Sequence, residues 1–371
     1  MTTYIYDLPE WPQFRWNQEA LVQRLAAVRR KQDRLIGKMQ ALGFSLQKEA
    51  ELRTLTLEVL KSNEIEGEIL DKEQVRSSVA RRLGVDVGAL TPKDRKVEGV
   101  VEMVLDATRN YNTPLTRERL FGWYASLFPT GYSGMRRIKV GTWRDDVDGP
   151  MVVASGKQVG GYERVHFEAP PADRIEREMT AFLDWFNGDD GTDLLLRACI
   201  AHLWFVTIHP FEDGNGRIAR AIADMTLARS EQSPQRFYSM SAQMRQERDA
   251  YYGGLEETQK GTLDITERLQ WFLGCLDRSL DEAEKTLASV FRKARFWGSH
   301  VGASFNERQS LMLNRLLDGI EGKLTSSRWA KMAKCSQDTA LRDIVDLVDR
   351  GILAKDPAGG RSTSYSLIQP E

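Results

Sequence analysis

One stretch of the sequence, residues 193–208, is apolar on nearly every side and runs directly into a polar segment rich in glycine and arginine. A helix with the sequence DLLLRACIAHLWFVTI has almost no polar face to turn toward water, so it must lie buried in the centre of a domain. The polar segment, HPFEDGNGRIAR at 209–220, then begins at the end of that buried helix. The sequence therefore predicts a helical domain that holds this segment against its core.

Helical periodicity extends over most of the chain up to about residue 300. Apolar residues recur at helical spacing in the regions 17–110, 172–186, 193–208, 218–228 and 263–290. Prolines and glycines interrupt every periodicity over 113–150, where we expect loops and turns. Residues 151–167 have two apolar arms around polar and glycine residues, which predicts a β-hairpin. The predicted fold class is therefore mainly α with a small hairpin.

The last part of the chain predicts three short helices followed by two strands. The helices are expected at 308–320, 326–333 and 337–349, and the strands at 352–354 and 364–367. This order is typical of a winged helix-turn-helix. We therefore predict three domains, namely a helical N-terminal domain at 1–110, a central domain at 111–300 and a winged helix-turn-helix at 301–371.

A winged helix normally suggests DNA binding, but the charge of this region argues against it. Residues 307–371 carry ten basic and nine acidic residues, a net charge of about +1, whereas a DNA-binding domain has a strongly basic surface. The predicted recognition helix also contains four aspartates, Asp338, Asp343, Asp346 and Asp349. DNA binding through 307–371 stays open, but we favour a module that binds protein or regulates a dimer.

The overall composition excludes two further classes of protein. With 52 basic and 53 acidic residues among 371, the net charge is -1, so nothing global attracts the chain to a polyanion or an anionic membrane. No run approaches the roughly 18 apolar residues of a membrane span, and the N-terminus does not resemble a secretory signal. The three scattered cysteines fit reduced thiols. We expect a soluble, cytoplasmic protein.

Within the polar segment, Gly214, Asn215 and Gly216 lie where a loop becomes a helix. Glycines at such a place let backbone amides turn toward an anion, and the helix dipole adds positive potential. Arg217 and Arg220 follow three residues apart, so their guanidinium groups project from neighbouring positions. This pattern predicts a binding site for several phosphates.

His209 and Asp213 fit the chemistry of a transfer reaction at those phosphates. An imidazole is the side chain best suited to removing a hydroxyl proton near neutral pH, so we assign His209 as a general base. Asp213 offers a hard oxygen ligand where Mg²⁺ could bridge phosphates. Phe211 is predicted to pin the loop into the core. Taken singly, each of these residues is more often structural, but their combination within 209–220 is hard to explain as packing.

The segment HPFEDGNGRIAR resembles the complete signature of the Fic (filamentation induced by cyclic AMP) family, HxFx(D/E)GNGRxxR. The resemblance implies a protein adenylyltransferase that transfers AMP from ATP to a hydroxyl side chain of a target protein and releases pyrophosphate. It implies that His209 is the base, that Asp213 holds Mg²⁺, and that Gly214 to Arg217 bind the α- and β-phosphates. The related Doc kinases alter the glycines, whereas Gly214 and Gly216 are intact here, which favours adenylylation.

A second resemblance lies upstream, where residues 62–67 read SNEIEG. A predicted helix ends at Gly67, and Glu66 at that end would gain from a cationic partner. Without further context Glu66 would be a solvated glutamate beside two others, Glu64 and Glu68. The segment is similar, however, to the inhibitory motif (S/T)xxxE(G/N) of Fic proteins, in which Ser62 and Glu66 are the matching residues. This resemblance implies a Glu66–Arg220 ion pair that keeps ATP in an unproductive pose.

Further resemblances concern the nucleotide pocket and the target. The hairpin around 157–167 lies where Fic proteins carry a flap that docks the target by strand addition, and Val165 and His166 of it are expected near the nucleotide. Tyr251 and Gln259 resemble residues that line the adenosine pocket. The hairpin could instead be a plain surface element, and the aromatic residues could be core. The N-terminal stretch is similar to the extra helical domain of many self-inhibited Fic proteins.

Two other functions stay open. The same site could remove AMP from a modified protein, with a carboxylate such as that of Glu66 activating water. Alternatively, the Fic domain could sense nucleotide for a DNA-binding regulator. A homodimer is plausible by resemblance.

Overall fold

The computed structural model describes residues 3–86, 88, 91–155, 164–320, 322–357 and 363–368. The chain divides into two compact units. The first comprises residues 1–41 and 48–284, and the second comprises residues 42–47 and 285–371. Residues of the predicted N-terminal and central domains thus share the first unit. The three-domain division at 110 and 300 stays a prediction.

The protein is mainly α-helical, as its periodicity predicts. Up to residue 286 the α-helices are α1 (Gln18–Gln40), α2 (Phe44–Ile65), α3 (Lys72–Leu83), α4 (Arg95–Arg109), α5 (Arg117–Leu127), α6 (Ala172–Asn187), α7 (Leu194–Ile208), α8 (Asn215–Glu231), α9 (Met240–Gln246), α10 (Arg248–Gln259) and α11 (Thr266–Thr286). Two antiparallel strand pairs accompany them, β1 (Tyr132–Ser133) with β2 (Arg136–Arg137) and β3 (Val152–Ser155) with β4 (Arg164–Glu168).

Helix α7 lies at the centre of the first unit and packs against α8. Every side chain from Leu195 to Ile208 is buried, as expected for a helix with almost no polar face. The Asp193 carboxylate caps its start by accepting a hydrogen bond from the Leu195 amide. The prediction of a buried central helix that leads into the polar segment is therefore confirmed.

The expectation of loops throughout 113–150 is wrong for α5. The Thr116 hydroxyl caps this helix by accepting a hydrogen bond from the Arg119 amide. The prolines and most of the glycines that suggested loops flank the helix, and only Gly122 lies inside it. Its buried side chains recur at helical spacing, at Leu120, Trp123, Tyr124 and Leu127.

A second difference concerns the helix expected over 263–290. Helix α11 ends at Thr286, and a new helix, α12, begins at Ala288. Between them Leu287 leaves the helical conformation, with φ -94° and ψ 3°. The apolar spacing continues across this break, which is why periodicity alone did not reveal it.

The predicted β-hairpin is present at its base, where β3 pairs with β4 and Val153 lies opposite Phe167. Residues 156–163, which include much of the predicted flap, lie outside the described residues. The aromatic N-terminus packs against the base of the hairpin, since Tyr4, Tyr6 and Phe167 form one buried cluster. The Tyr6 hydroxyl donates a hydrogen bond of 2.9 Å to the Glu168 carbonyl. The N-terminal segment therefore supports this strand pair.

The second unit has the order of elements that the sequence predicts. It contains α12 (Ala288–Ser299), α13 (Glu307–Asp318), α14 (Ser326–Ala333), α15 (Gln337–Asp349), β5 (Leu353–Lys355) and β6 (Tyr365–Leu367). The strands β5 and β6 pair antiparallel, and the fully buried Trp329 lies in the core of the unit. The assignment of this unit as a winged helix stays a prediction.

Among the described residues, no helix combines the length and the apolar run that a membrane crossing requires.

Candidate active site

His209 is the residue at which α7 ends, and its backbone adopts the left-handed conformation with φ 52°. Such a conformation is uncommon for a residue other than glycine and tends to occur at functional sites. The His209 amide still donates to the Phe205 carbonyl at 3.0 Å, while the imidazole Nδ1 lies 3.2 Å from the Val206 carbonyl oxygen. Because a carbonyl only accepts, Nδ1 carries the proton and Nε2 presents its lone pair. The ring is thus oriented as a base.

The charge state of His209 suits the same role. Burial lowers the pKa of His209 to about 4, and the nearby Arg144 guanidinium acts in the same direction, against the hydrogen bond to Val206. At neutral pH the imidazole is therefore uncharged and able to accept a proton. Arg144 also holds the backbone here, since its Nε donates to the His209 carbonyl at 2.8 Å.

Phe211 and Asn215 fix the loop between α7 and α8. Phe211 is fully buried and stacks on Tyr124 with ring centroids 4.3 Å apart, which confirms its expected role as a structural anchor. The Asn215 side chain accepts from the Phe211 amide at 3.0 Å and donates to the Phe211 carbonyl at 2.7 Å. This amide group is therefore used within the loop. Any contribution of Asn215 to phosphate binding rests on its backbone, not on its side chain.

Gly214 and Gly216 shape the start of α8 as a potential anion site. Gly214 has φ +75°, and a Cβ there would lie 3.1 Å from the Phe128 ring, so only glycine fits without strain. A Cβ on Gly216 would lie 2.3 Å from Oε1 of Glu66. The Glu66 carboxylate thus lies directly over the helix N-terminus where the sequence predicts phosphates.

Asp213 is held by two hydrogen bonds. Its Oδ1 accepts from the Gly214 amide at 2.5 Å, and its Oδ2 accepts from the hydroxyl of Ser133 on β1. The side chain is 42% exposed. Within the described ranges no cluster of three or more His, Cys, Asp or Glu side chains could enclose a metal ion. A lone, oriented, half-exposed carboxylate fits Mg²⁺, which keeps its waters and takes further oxygens from phosphates.

The ion pair expected between Glu66 and Arg220 is present. Arg220 is buried, and its NH1 donates to Glu66 Oε1 at 2.8 Å. Its Nε and NH2 donate to the hydroxyl and the carbonyl of Ser62 at 2.9 and 2.7 Å. Burial is the largest single effect on the pKa of Arg220 and lowers it, but Glu66 together with Tyr251 and Tyr252 raises that pKa above its ordinary value. Helix α2 ends at Ile65, so both acceptors lie on its last turn or just beyond it.

Arg217 has an acidic partner that the sequence did not suggest. Its NH1 donates to Glu68 Oε2 at 2.8 Å and also lies 3.4 Å from Asn63 Oδ1. The sequence offered Glu68 only as a neighbour of Glu66 and assigned it no role. Both motif arginines are therefore bound by carboxylates of one segment, residues 62–68.

A cavity of ≈ 750 Å³ opens beside these groups. His209, Gly216 and Glu66 line one part of it, and the predicted pocket residues Tyr251, Gln259 and His166 line another. Val165 is not among the lining residues and is 45% exposed, so its contact with a nucleotide stays a prediction. The volume is in the range of small-molecule sites.

Residues of α10 form the wall of the cavity and contact the end of α2. Tyr251 is buried, and its hydroxyl lies 3.0 Å from Nε2 of His202, while Gln259 donates to the Thr207 hydroxyl at 3.2 Å. Arg248 and Tyr252 both donate to the Ile65 carbonyl, at 3.1 and 3.3 Å. The end of α2 is thus held in place by the same helix that lines the pocket.

The fold and the site resemble those of Fic proteins. A family model described as "Fic/DOC family" matches residues 114–227, and a second, described as "Domain of unknown function (DUF4172)", matches residues 4–85. A solved structure of a Fic family protein from Desulfovibrio desulfuricans G20 has a similar fold. It has a TM-score of 0.57 and 19% identity, with 96% of this chain and 98% of that one covered.

Curated relatives carry the same family name. The chain is 27% identical over 237 residues to a protein adenylyltransferase Fic of Culex quinquefasciatus, covering 63% of this chain and 42% of the relative. It is 35% identical over 117 residues to a protein adenylyltransferase Fic of Nematostella vectensis, covering 30% of this chain and 25% of the relative. The chain thus spans less than half the length of these two relatives. The match to the Fic family lies at residues 114–227 of this chain.

Proposed function

We propose that this protein is a protein adenylyltransferase that transfers AMP from ATP to a Ser, Thr or Tyr hydroxyl of a target protein. The observation that carries the proposal is the neutral His209 imidazole, with Nδ1 tied to Val206 and Nε2 presented for proton transfer, beside the glycine-lined start of α8. The names of the relatives support the same activity.

The proposed reaction follows from the position of the base. Nε2 of His209 takes the proton of the acceptor hydroxyl while the hydroxyl oxygen bonds to the α-phosphorus of ATP. The bond from that phosphorus to the bridging oxygen breaks, and pyrophosphate leaves. The backbone amides at Gly214 to Gly216 and the Arg217 guanidinium would bind the phosphates. Asp213 would hold Mg²⁺, which when bound neutralises charge on them.

We further propose that the protein inhibits itself through residues 62–67. The Glu66 carboxylate lies over Gly216 and occupies one N–H of Arg220, so it would compete with the terminal phosphate of ATP. Ser62 supports this arrangement by accepting from Arg220 through both its hydroxyl and its carbonyl. Arg220 would become available to ATP only when this segment moves.

The products of the reaction test the proposal. With ATP and an acceptor protein present, we expect pyrophosphate to be released in a one-to-one ratio with AMP bound to protein. Release of ADP instead would show transfer of the γ-phosphate and would overturn the proposed activity.

We propose that residues 307–371 bind protein rather than DNA. We also propose that the protein is cytoplasmic and forms a homodimer. Of the four aspartates on α15, Asp343 is buried and pairs with Arg308 at 2.8 Å, so it is not on the surface. Asp338 and Asp349 are exposed and give this helix an acidic surface that repels phosphates. Exposed Leu341 and Val345 lie one turn apart on the same helix, which suits a protein partner.

We therefore expect the protein to pass a column of immobilised double-stranded DNA without delay, even at 50 mM salt, where weak phosphate contacts are strongest. A short basic DNA-binding domain serves as the positive control on the same column. Retention that falls as salt rises, and that is lost when residues 307–371 are removed, would contradict the proposal.

A further inference from the structure

Glu68 lies two residues beyond Glu66, on the far side of Gly67, and outside the SNEIEG motif. Its carboxylate bridges two cations, with Oε2 at 2.8 Å from NH1 of Arg217 and Oε1 at 3.0 Å from Nζ of Lys96 on α4. The Glu68 side chain is 28% exposed, whereas Arg217 is 2% exposed. One end of this ion pair is therefore buried, where charge pairing is strongest.

Among the described residues around Arg217, Glu68 is the closest anionic partner. Asp213 lies 3.8 Å from NH2 of Arg217, a longer separation, and its oxygens already accept from Gly214 and Ser133. The Phe128 ring lies 5.1 Å from the Arg217 guanidinium carbon on another side. Glu68 thus supplies the short, charge-assisted hydrogen bond that a phosphate would otherwise make.

We infer that Glu68 competes with the nucleotide for Arg217, so that the segment 62–68 weakens nucleotide binding itself. This inference rests on the proposed function, in which Arg217 binds the α- and β-phosphates. Glu66 pairs with Arg220 and would compete with the terminal phosphate. Glu68 pairs instead with Arg217, which lies about one turn earlier on α8. Two carboxylates flanking Gly67 thus occupy the two arginines that a nucleotide needs.

Competition follows because a carboxylate and a phosphate accept the same N–H groups and repel each other. When a nucleotide enters, Glu68 must leave Arg217. Lys96 then offers Glu68 an alternative partner, since the Lys96 ammonium group already contacts Oε1 of Glu68 and the Lys96 side chain is 47% exposed. The backbone around Glu68 must also loosen, because the Glu68 amide is bonded to the Asn63 carbonyl at 3.0 Å in the inhibited arrangement.

The test is the dissociation constant of ADP, measured by titration calorimetry on the whole chain. ADP carries the α- and β-phosphates, which are assigned to Arg217. It lacks the terminal phosphate of ATP, with which Glu66 would compete. We expect Glu68→Gln to lower the Kd of ADP about tenfold, since removing a charge-assisted competitor changes binding by roughly that factor. Glu64→Gln is the matched control, because Glu64 carries the same charge but pairs with Lys61 at 2.8 Å instead of with Arg217. It should leave the Kd unchanged.

A second measurement uses the wild-type chain and therefore does not depend on the folding of a variant. We expect saturating ADP to speed hydrogen exchange at the Gly67 and Glu68 amides, which bond to the Glu64 and Asn63 carbonyls in the free protein. Slower or unchanged exchange there would overturn the inference.

The outcomes separate this inference from the proposed function. An equal Kd for wild type and Glu68→Gln, within twofold, overturns the role of Glu68 and leaves the transferase proposal intact. Tighter ADP binding by Glu68→Gln, when the Glu66→Gly variant releases no pyrophosphate from ATP, supports the competition and overturns the transferase proposal. Failure of every variant to bind ADP overturns both.

Discussion

Replacing Glu66 with glycine is expected to raise AMP transfer at least about tenfold, which corresponds to about 1.4 kcal/mol. The substitution removes the carboxylate that lies over Gly216 and frees the NH1 group of Arg220, which is bonded to it at 2.8 Å. A buried guanidinium without its carboxylate gains strongly from a phosphate. The measurement is the initial rate of protein labelling from ATP labelled on the α-phosphate, with modification of the protein itself counted as well.

Glu64→Gly is the matched control for this variant. It places a glycine two residues earlier on the same segment and removes the same charge, but Glu64 pairs with Lys61 and lies 3.8 Å from Arg245. Its rate should equal that of wild type. If Glu66→Gly labels no faster than Glu64→Gly, Glu66 does not restrain the enzyme.

Replacing His209 with alanine in the Glu66→Gly background is expected to reduce the rate by about 10² to 10⁴-fold, the usual contribution of a general base. The cause is loss of the Nε2 lone pair, whose orientation depends on the 3.2 Å contact between Nδ1 and the Val206 carbonyl. Binding of ADP should change little, since no phosphate contact is assigned to the imidazole. His300→Ala, which removes a histidine of the second unit, is the control.

The pH dependence of the rate tests the same residue. Because burial lowers the pKa of His209 to about 4, the base stays uncharged and active as pH falls from 8 through 6, and the rate declines only as pH approaches 4. A decline centred near the ordinary histidine value of about 6.5 would contradict this description of the site.

The site could be predicted well wherever its signals are local in sequence. Residues 193–208 are apolar on nearly every side of the helix. This pattern alone predicts that the following loop begins at the end of a buried helix. The positive φ of Gly214 and the burial of Phe211 likewise belong to one short segment, residues 209–220. Pairing of Glu66 with Arg220 followed from resemblance and is present at 2.8 Å.

The contacts that sequence reasoning missed join residues far apart in the chain. Glu68 reaches Arg217 across 149 positions, Ser133 reaches Asp213 across 80, and Arg144 reaches the His209 carbonyl across 65. No periodicity relates such residues, and each pair depends on how the helices pack. Glu68 in addition looks like Glu64 in sequence, although Gly67 turns the chain between them with φ +80°.

The helix α5 was missed for a different reason. Its own residues carry the helical pattern, with a Thr116 cap and buried Leu120 and Tyr124 four residues apart. The many glycines and prolines of 129–150 follow this helix closely and obscure its pattern within the region 113–150.

The central claim is that AMP, and not phosphate, passes from ATP to a protein hydroxyl. The most direct measurement incubates the Glu66→Gly variant in lysate with ATP labelled on the α- or the γ-phosphate and identifies the labelled peptides by mass spectrometry. We predict label from the α-phosphate alone, as AMP on a Ser, Thr or Tyr side chain, and none with Glu66→Gly/His209→Ala. Label from the γ-phosphate, with a single phosphate on the peptide, would contradict the claim.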